Sequence, residues 1–191
     1  EAIDCGITDI GENKVQEIMD KYEKVKPVRW HLIGHLQTNK VKYIIDKVAM
    51  IHSVDSLHLA KEIDKRARQH GLVMDILIQV NSAMEESKFG ITTEETGKMI
   101  DDILRECPNI RIRGLMCIAP FEDNPDDARV YFAEVKKLYD EYAKVHHPNL
   151  DFKYLSMGMS NDFEVAVEEG SNLIRVGTSI FGARDYSKKM G

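Results

Sequence analysis

Short apolar runs and longer segments of helical period alternate along the whole of this chain. Strand-length runs fall at about 7–11, 29–34, 49–53, 73–80, 111–116, 152–157 and 173–177. Between them apolar residues recur every three or four positions. Val15, Ile18, Met19 and Tyr22 share one helical face, as do Met99, Ile100, Ile103 and Leu104, and again Phe132, Val135, Leu138, Tyr139 and Tyr142. Asn161, three residues before Glu164, predicts a capping box, with Phe163, Ala166 and Val167 as the buried stripe and Gly170 as the stop. Strand and helix in repeated succession predict a parallel sheet with the helices on its outside.

Seven such strands are one fewer than the eight that close successive strand–helix units into a barrel. The opening EAIDCG reads as the last turns of a helix stopped by Gly6, and such a helix needs something before it to pack on. The expectation is therefore an α/β fold, a (β/α)8 TIM barrel seen without its first strand and the N-terminal helix. No Pro/Gly/Ser-rich linker or short repeat divides the chain, so residues 1–191 are read as one domain, N-terminally incomplete.

One strand breaks the apolar pattern. In LIRVGTSIFG, Arg175 stands among Leu173, Ile174 and Val176, and a buried guanidinium is costly unless something satisfies it. Alternation puts Leu173, Arg175 and Gly177 on one face and Ile174 and Val176 on the other. The more apolar pair should meet the helices, which points Arg175 into the barrel.

In such barrels the sites lie at the C-terminal strand ends, and a phosphate commonly binds after strands seven and eight. If the missing strand counts as the first, SMGMSND and VGTSIFG occupy those positions. Gly158 and Gly177 allow close backbone approach, Ser160 and Thr178 offer hydroxyls, and a helical turn over 178–182 would aim free N–H groups at an anion. Ordinary turn and cap residues would look the same. Arg175 likewise has two readings: a bridge between barrel carboxylates, or a contact to an acceptor on a phosphorylated ligand. Asn13 follows one strand, and His35, Gln37 and Asn39 follow another that carries His31. For His31 the default is a hydrogen-bonded core residue, and for the acidic loop around Lys88 it is an exposed connection.

Composition narrows the function classes. A hydrophobic share of 43% fits a globular domain, and a net charge of -6 argues against a nucleic-acid surface. The three cysteines form no CxxC pair, which indicates neither a disulfide framework nor a zinc site and makes the reducing cytoplasm the simplest setting. No run approaches the roughly 18 apolar residues of a membrane span.

Several long motifs carry a resemblance. IGENKVQE, WHLIGHLQTNK, HSVDS, VNSAMEESKFGI, RGLMCIAP and SMGMSNDFEVAVEEGSNLIRVGTSIFGARDY resemble the pyridoxal phosphate homeostasis proteins, the YggS/PROSC family, over essentially the whole chain. That family is similar to the N-terminal barrel of alanine racemase and holds pyridoxal 5′-phosphate (PLP) at the barrel mouth. The resemblance implies that Met159 and Ser160, with Gly177 and Thr178, surround the cofactor phosphate. It also implies that Arg175 lies by the pyridine nitrogen, Asn13 approaches the ring substituents and Met116 sits near the cofactor. One feature departs from the family: its Schiff-base lysine lies on the first strand, in a segment resembling AVSKTK, and this sequence has no such segment.

The function expected is a non-catalytic PLP carrier in vitamin B6 and amino-acid/keto-acid homeostasis. By resemblance it is a monomer, with apo PLP-dependent enzymes as candidate recipients and neither nucleic acid nor membrane as partner. A PLP-dependent racemase is the alternative. Two-base racemization needs a second acid/base, which the related racemases obtain from an added C-terminal domain and a partner subunit, and this sequence ends soon after its last strand. A cofactor-free barrel acting on a sugar phosphate would explain Arg175 and the glycine turns, but not the long motifs.

Overall fold

The structure is a computed structural model and describes residues 1–85 and 88–182. Its strands are β1 (Asp9–Glu12), β2 (Arg29–Leu32), β3 (Val48–Val54), β4 (Met74–Val80), β5 (Ile110–Cys117), β6 (Leu150–Met159) and β7 (Leu173–Arg175). The helices are α1 (Val15–Lys21), α2 (Leu57–Gln69), α3 (Thr93–Glu106), α4 (Arg129–Tyr142), α5 (Phe163–Glu168) and the single turn α6 (Thr178–Phe181). Every apolar run singled out in the sequence overlaps a strand, and all adjacent strands pair in parallel in the order β1 to β7.

Two layers of core follow from the alternation along the strands. Outward residues such as Leu32, Ile51, Ile76, Ile112 and Leu155 join the helices in the larger core, which includes Ile18, Ile63, Ile100 and Phe132. Inward residues form a smaller cluster of Met50, Leu77 and Met116, flanked by Ile118, Tyr154 and Leu173. The sheet is strongly curled. In a flat sheet β3 and β6 would lie roughly 14 Å apart, at about 4.8 Å per strand. Yet His52 on β3 is 3.2 Å from Ser156 on β6, so the two face each other across the interior of a nearly closed barrel. The architecture is that of the expected (β/α)8 class.

Several local expectations need correction. There is no capping box at Asn161: α5 begins at Phe163, and the Asp162 carboxylate accepts the Met159 N–H at 2.6 Å while Asn161 donates to the Glu122 carbonyl at 3.4 Å. The acidic residue beside the predicted cap wins because it can close the turn between β6 and α5. The stripe of α5 is Val165 and Ala166, whereas Val167 is 51% exposed. Met19 on α1 and Ile174 on β7 are also exposed, at 37% and 39%, where a covered position was expected. A capping box does exist at the start of α3, between Thr92 and Glu95.

Candidate functional site

The C-terminal ends of β6 and β7 meet in two short turns. Met159, the last residue of β6, pairs with Arg175, the last residue of β7. Beyond them the Gly177 and Ser179 N–H groups donate to Ser160 Oγ at 3.4 and 3.3 Å. Gly158 makes this junction possible. Its φ is +89°, and a Cβ there would lie 2.7 Å from the Ala166 Cβ and 2.8 Å from the Phe163 Cα, so only glycine lets α5 start against the strand end. Around Gly177 the space is open, with nothing within 4 Å of a built Cβ.

Arg175 points into the barrel, as its place on β7 predicts. Its Nη1 donates to Ser156 Oγ at 2.6 Å and its Nη2 to the Cys117 carbonyl at 2.8 Å. Those partners are a hydroxyl and a carbonyl, so among the described residues the guanidinium does not bridge barrel carboxylates. Burial pushes its pKa down to about 10, opposed by electrostatic attraction to Cys117 and Asp162, and it remains a cation at neutral pH. A half-buried cation with no carboxylate in hydrogen-bond contact among the described residues is suited to an added acceptor.

Below Arg175 the barrel holds two histidines that are fully engaged. His31 Nδ1 and His52 Nε2 are 2.9 Å apart, His31 Nε2 is 2.9 Å from Asp9 Oδ1, and His52 Nδ1 is 3.2 Å from Ser156 Oγ. Burial lowers the His52 pKa far below the usual histidine range, with the nearby charges of His31 and Arg175 acting the same way. Burial also lowers that of His31, although Asp9 opposes it. His31 is thus the hydrogen-bonded interior residue expected. His52 and Ser156 open the HSVDS and SMGMSND motifs but were not given a role from the sequence; the signal for their direction is period two, His52 sharing the inward face with Met50 and Ser156 with Tyr154.

The structure places the seven predicted cofactor residues unevenly. Met159, Ser160, Arg175, Gly177 and Thr178 converge at the β6 and β7 ends. Met116 is fully buried in the inner cluster, paired in register with Ser156, which itself holds Arg175. Asn13 is exposed just after β1, and a Cβ at Gly34 would lie 2.3 Å from its carbonyl, so it belongs to the β1–β2 end of the mouth. His35 stacks on Phe89 with ring centroids 3.7 Å apart, and its Nδ1 is 3.7 Å from Asp55. Gln37 and Asn39 are exposed, Gln37 just before and Asn39 within a 3-10 helix, Thr38–Tyr43. Ala183 to Tyr186 of the last motif, and Glu86 and Ser87 of the acidic loop, lie outside the described residues.

These residues fit the phosphate and ring of PLP: an open glycine turn with two N–H groups converging on Ser160, and one step below it an arginine that no carboxylate among the described residues hydrogen-bonds. An amine is another matter. Lys153 is the one lysine on a strand among the described residues, it is exposed, and its Nζ lies over the Tyr154 ring. No group of three or more His, Cys, Asp or Glu among the described residues could hold a metal ion.

Comparison with known proteins agrees with this geometry. Residues 1–185 match the family model described as alanine racemase, N-terminal domain. A pyridoxal phosphate homeostasis protein of Aquifex aeolicus is 47% identical over 97% of this chain and 81% of its own length. The protein of that name in Escherichia coli K12 is 38% identical over 99% of this chain and 81% of its own length. Among solved structures, PipY of Synechococcus elongatus with PLP bound superposes with a TM-score of 0.84 at 34% identity, covering 95% of this chain and 84% of that one. A curled parallel sheet with its polar residues gathered at the C-terminal ends of the last two strands, and relatives this similar over nearly the whole chain, have one explanation: this chain belongs to the family of pyridoxal phosphate homeostasis proteins, on the alanine racemase N-terminal domain fold.

Proposed function

We propose that this chain binds pyridoxal 5′-phosphate at the mouth of its barrel and serves as a non-catalytic carrier of it in vitamin B6 and amino-acid/keto-acid homeostasis. The observation that carries the reading is Arg175, a half-buried guanidinium held by Ser156 and the Cys117 carbonyl with no carboxylate in hydrogen-bond contact among the described residues, directly below the Ser160 and Gly177 turn. The relatives' names and the PLP bound to PipY support it.

In this reading Ser160, Gly177 and Thr178, with Met159 beside them, take the phosphate. Arg175 faces the pyridine nitrogen, while Asn13 and Met116 border the ring. Bound PLP supplies an electron-withdrawing ring, and a fixed arginine cation at its nitrogen disfavours protonation there, which weakens that capacity. The residues supply binding rather than proton transfer: both histidines closest to Arg175 have both ring nitrogens in hydrogen bonds. Recipients of the cofactor would be apo PLP-dependent enzymes, and the carrier would act as a cytoplasmic monomer.

Equilibrium dialysis of the purified chain against PLP, with inorganic phosphate as competitor, tests this. Saturable one-to-one binding that phosphate displaces, and that Arg175→Met weakens by about tenfold or more, is expected. Binding that never saturates, or that ignores both phosphate and the Arg175 substitution, would sink the proposal.

A further inference from the structure

Five inward side chains from five strands form one unbroken file of hydrogen bonds: Asp9 on β1, His31 on β2, His52 on β3, Ser156 on β6 and Arg175 on β7. Its direction follows from its two ends. A guanidinium can only donate and a carboxylate can only accept. Arg175 Nη1–H gives to Ser156 Oγ, which leaves the Ser156 hydroxyl proton for His52 Nδ1. His52 Nε2–H then gives to His31 Nδ1, and His31 Nε2–H gives to Asp9 Oδ1. With both rings neutral this is the one arrangement in which all four contacts, at 2.6, 3.2, 2.9 and 2.9 Å from Arg175 to Asp9, are hydrogen bonds. It needs each ring to carry its proton on Nε2.

We propose that Asp9, His31, His52 and Ser156 are positioning residues that act through Arg175: a polarised relay that sets the tilt of the guanidinium and so aims its remaining N–H groups at an acceptor atom in the ring of the bound ligand. The inference rests on the PLP reading above and adds to it the residues that make Arg175 selective for the ring. Among the described residues two of the five guanidinium N–H groups are committed, to Ser156 and to the Cys117 carbonyl, and both lie on the barrel side. A relay built only to neutralise Arg175 would put a carboxylate in contact with it, whereas among the described residues none hydrogen-bonds it, Asp162 acts only through its charge, and the negative end of the file stands four hydrogen bonds away on β1. That distance leaves the cation available to the ligand while its orientation stays fixed.

The test uses the full chain with nitrogen-labelled histidine, and pyridoxamine 5′-phosphate and inorganic phosphate as probes. The amine form keeps the ring and phosphate but carries no aldehyde for surface lysines to capture. Near neutral pH the ring-nitrogen chemical shifts of His31 and His52 are expected to show both rings neutral with the proton on Nε2. Ser156→Ala should weaken pyridoxamine 5′-phosphate by about tenfold and Asp9→Asn by about threefold, with inorganic phosphate changing by less than about twofold in each. Asp9→Asn should also mix the two tautomers of His31, an effect no purely structural role predicts. A proton on Nδ1 of either ring overturns the relay. Pyridoxamine 5′-phosphate affinity unchanged in both variants, or lost in parallel with inorganic phosphate, overturns the positioning role while leaving the PLP site standing. If the unmutated chain binds phosphate but not pyridoxamine 5′-phosphate, the PLP reading falls and the positioning role with it. Asp9 is partly exposed on a terminal strand, so its variant keeps the comparison valid if Ser156→Ala fails to fold.

Discussion

Arg175 is held by geometry that only a guanidinium satisfies, with two nitrogens reaching two acceptors on different strands, Ser156 on β6 and the Cys117 carbonyl on β5. Lysine offers a single point of attachment on a flexible stem and loses its charge more readily when buried. Arg175→Lys should therefore leave one acceptor unpaired and destabilise the fold by about 1–3 kcal/mol, read as a lower urea midpoint at unchanged slope. A midpoint equal to that of the unmutated chain would mean that the two contacts contribute nothing to folding. The inward direction of Arg175 was legible in the sequence because alternation on a short apolar strand leaves two faces, and only one of them can tolerate charge. Its partners were not. Ser156 looks like any small residue in a strand, and His52 reaches it across 104 positions of sequence, a separation that no local pattern encodes.

Among the elements, the strands and their parallel order were readable because each apolar run is separated from the next by a segment of helical period, which excludes hairpins. Helix starts were less readable. Asn161 and Glu164 have the spacing of a capping box but lie next to Asp162, whose carboxylate already binds the Met159 N–H and so fixes a different first turn. At Thr92 the hydroxyl accepts the Glu95 N–H at 3.3 Å while the Glu95 carboxylate accepts the Thr92 N–H at 3.2 Å, a reciprocal cap on a 14-residue helix. Thr92→Ala and Asp162→Ala should each cost about 1 kcal/mol, and Asn161→Ala well under half of that. Denaturant titration of the three variants decides the point, and a loss at Asn161 as large as at Asp162 would restore the cap that the sequence spacing predicts. Asp162→Ala should also loosen the Ser160 turn, because the bond it removes anchors the end of β6 just before that residue.

At the scale of the whole molecule, the polar file inside the barrel ties folding to pH. His52 faces His31, Ser156 and Arg175, and His31 faces Asp9 and Arg29, and burial depresses both histidine pKa values below that of an unfolded chain. A histidine shifted this way binds its proton more readily once unfolded. Its stabilising contribution is therefore complete above the unfolded value of about 6.5 and is lost as pH falls below it, at up to about 1.4 kcal/mol per pH unit for each ring. Asp9 adds to the same trend at lower pH. Burial would raise its pKa, but hydrogen bonds from Thr8 and His31 and the charge of Arg29 outweigh that and lower it, so its contribution disappears only as the carboxylate protonates. The expected stability curve is flat from about pH 7 to 8 and falls steadily below about 6.5, before ordinary carboxylates titrate. Replacing His52 with phenylalanine removes the group shifted furthest, so that variant should start less stable, having broken the file, and yet lose less stability between about pH 6.5 and 5 than the unmutated chain. Urea midpoints measured across that interval separate this from a general acid effect: parallel curves for the two proteins would place the pH sensitivity in groups other than His52. Crossing or converging curves would tie it to the same side chains that hold Arg175 beneath the phosphate turn, so acid would loosen the proposed cofactor site through the groups that stabilise the fold.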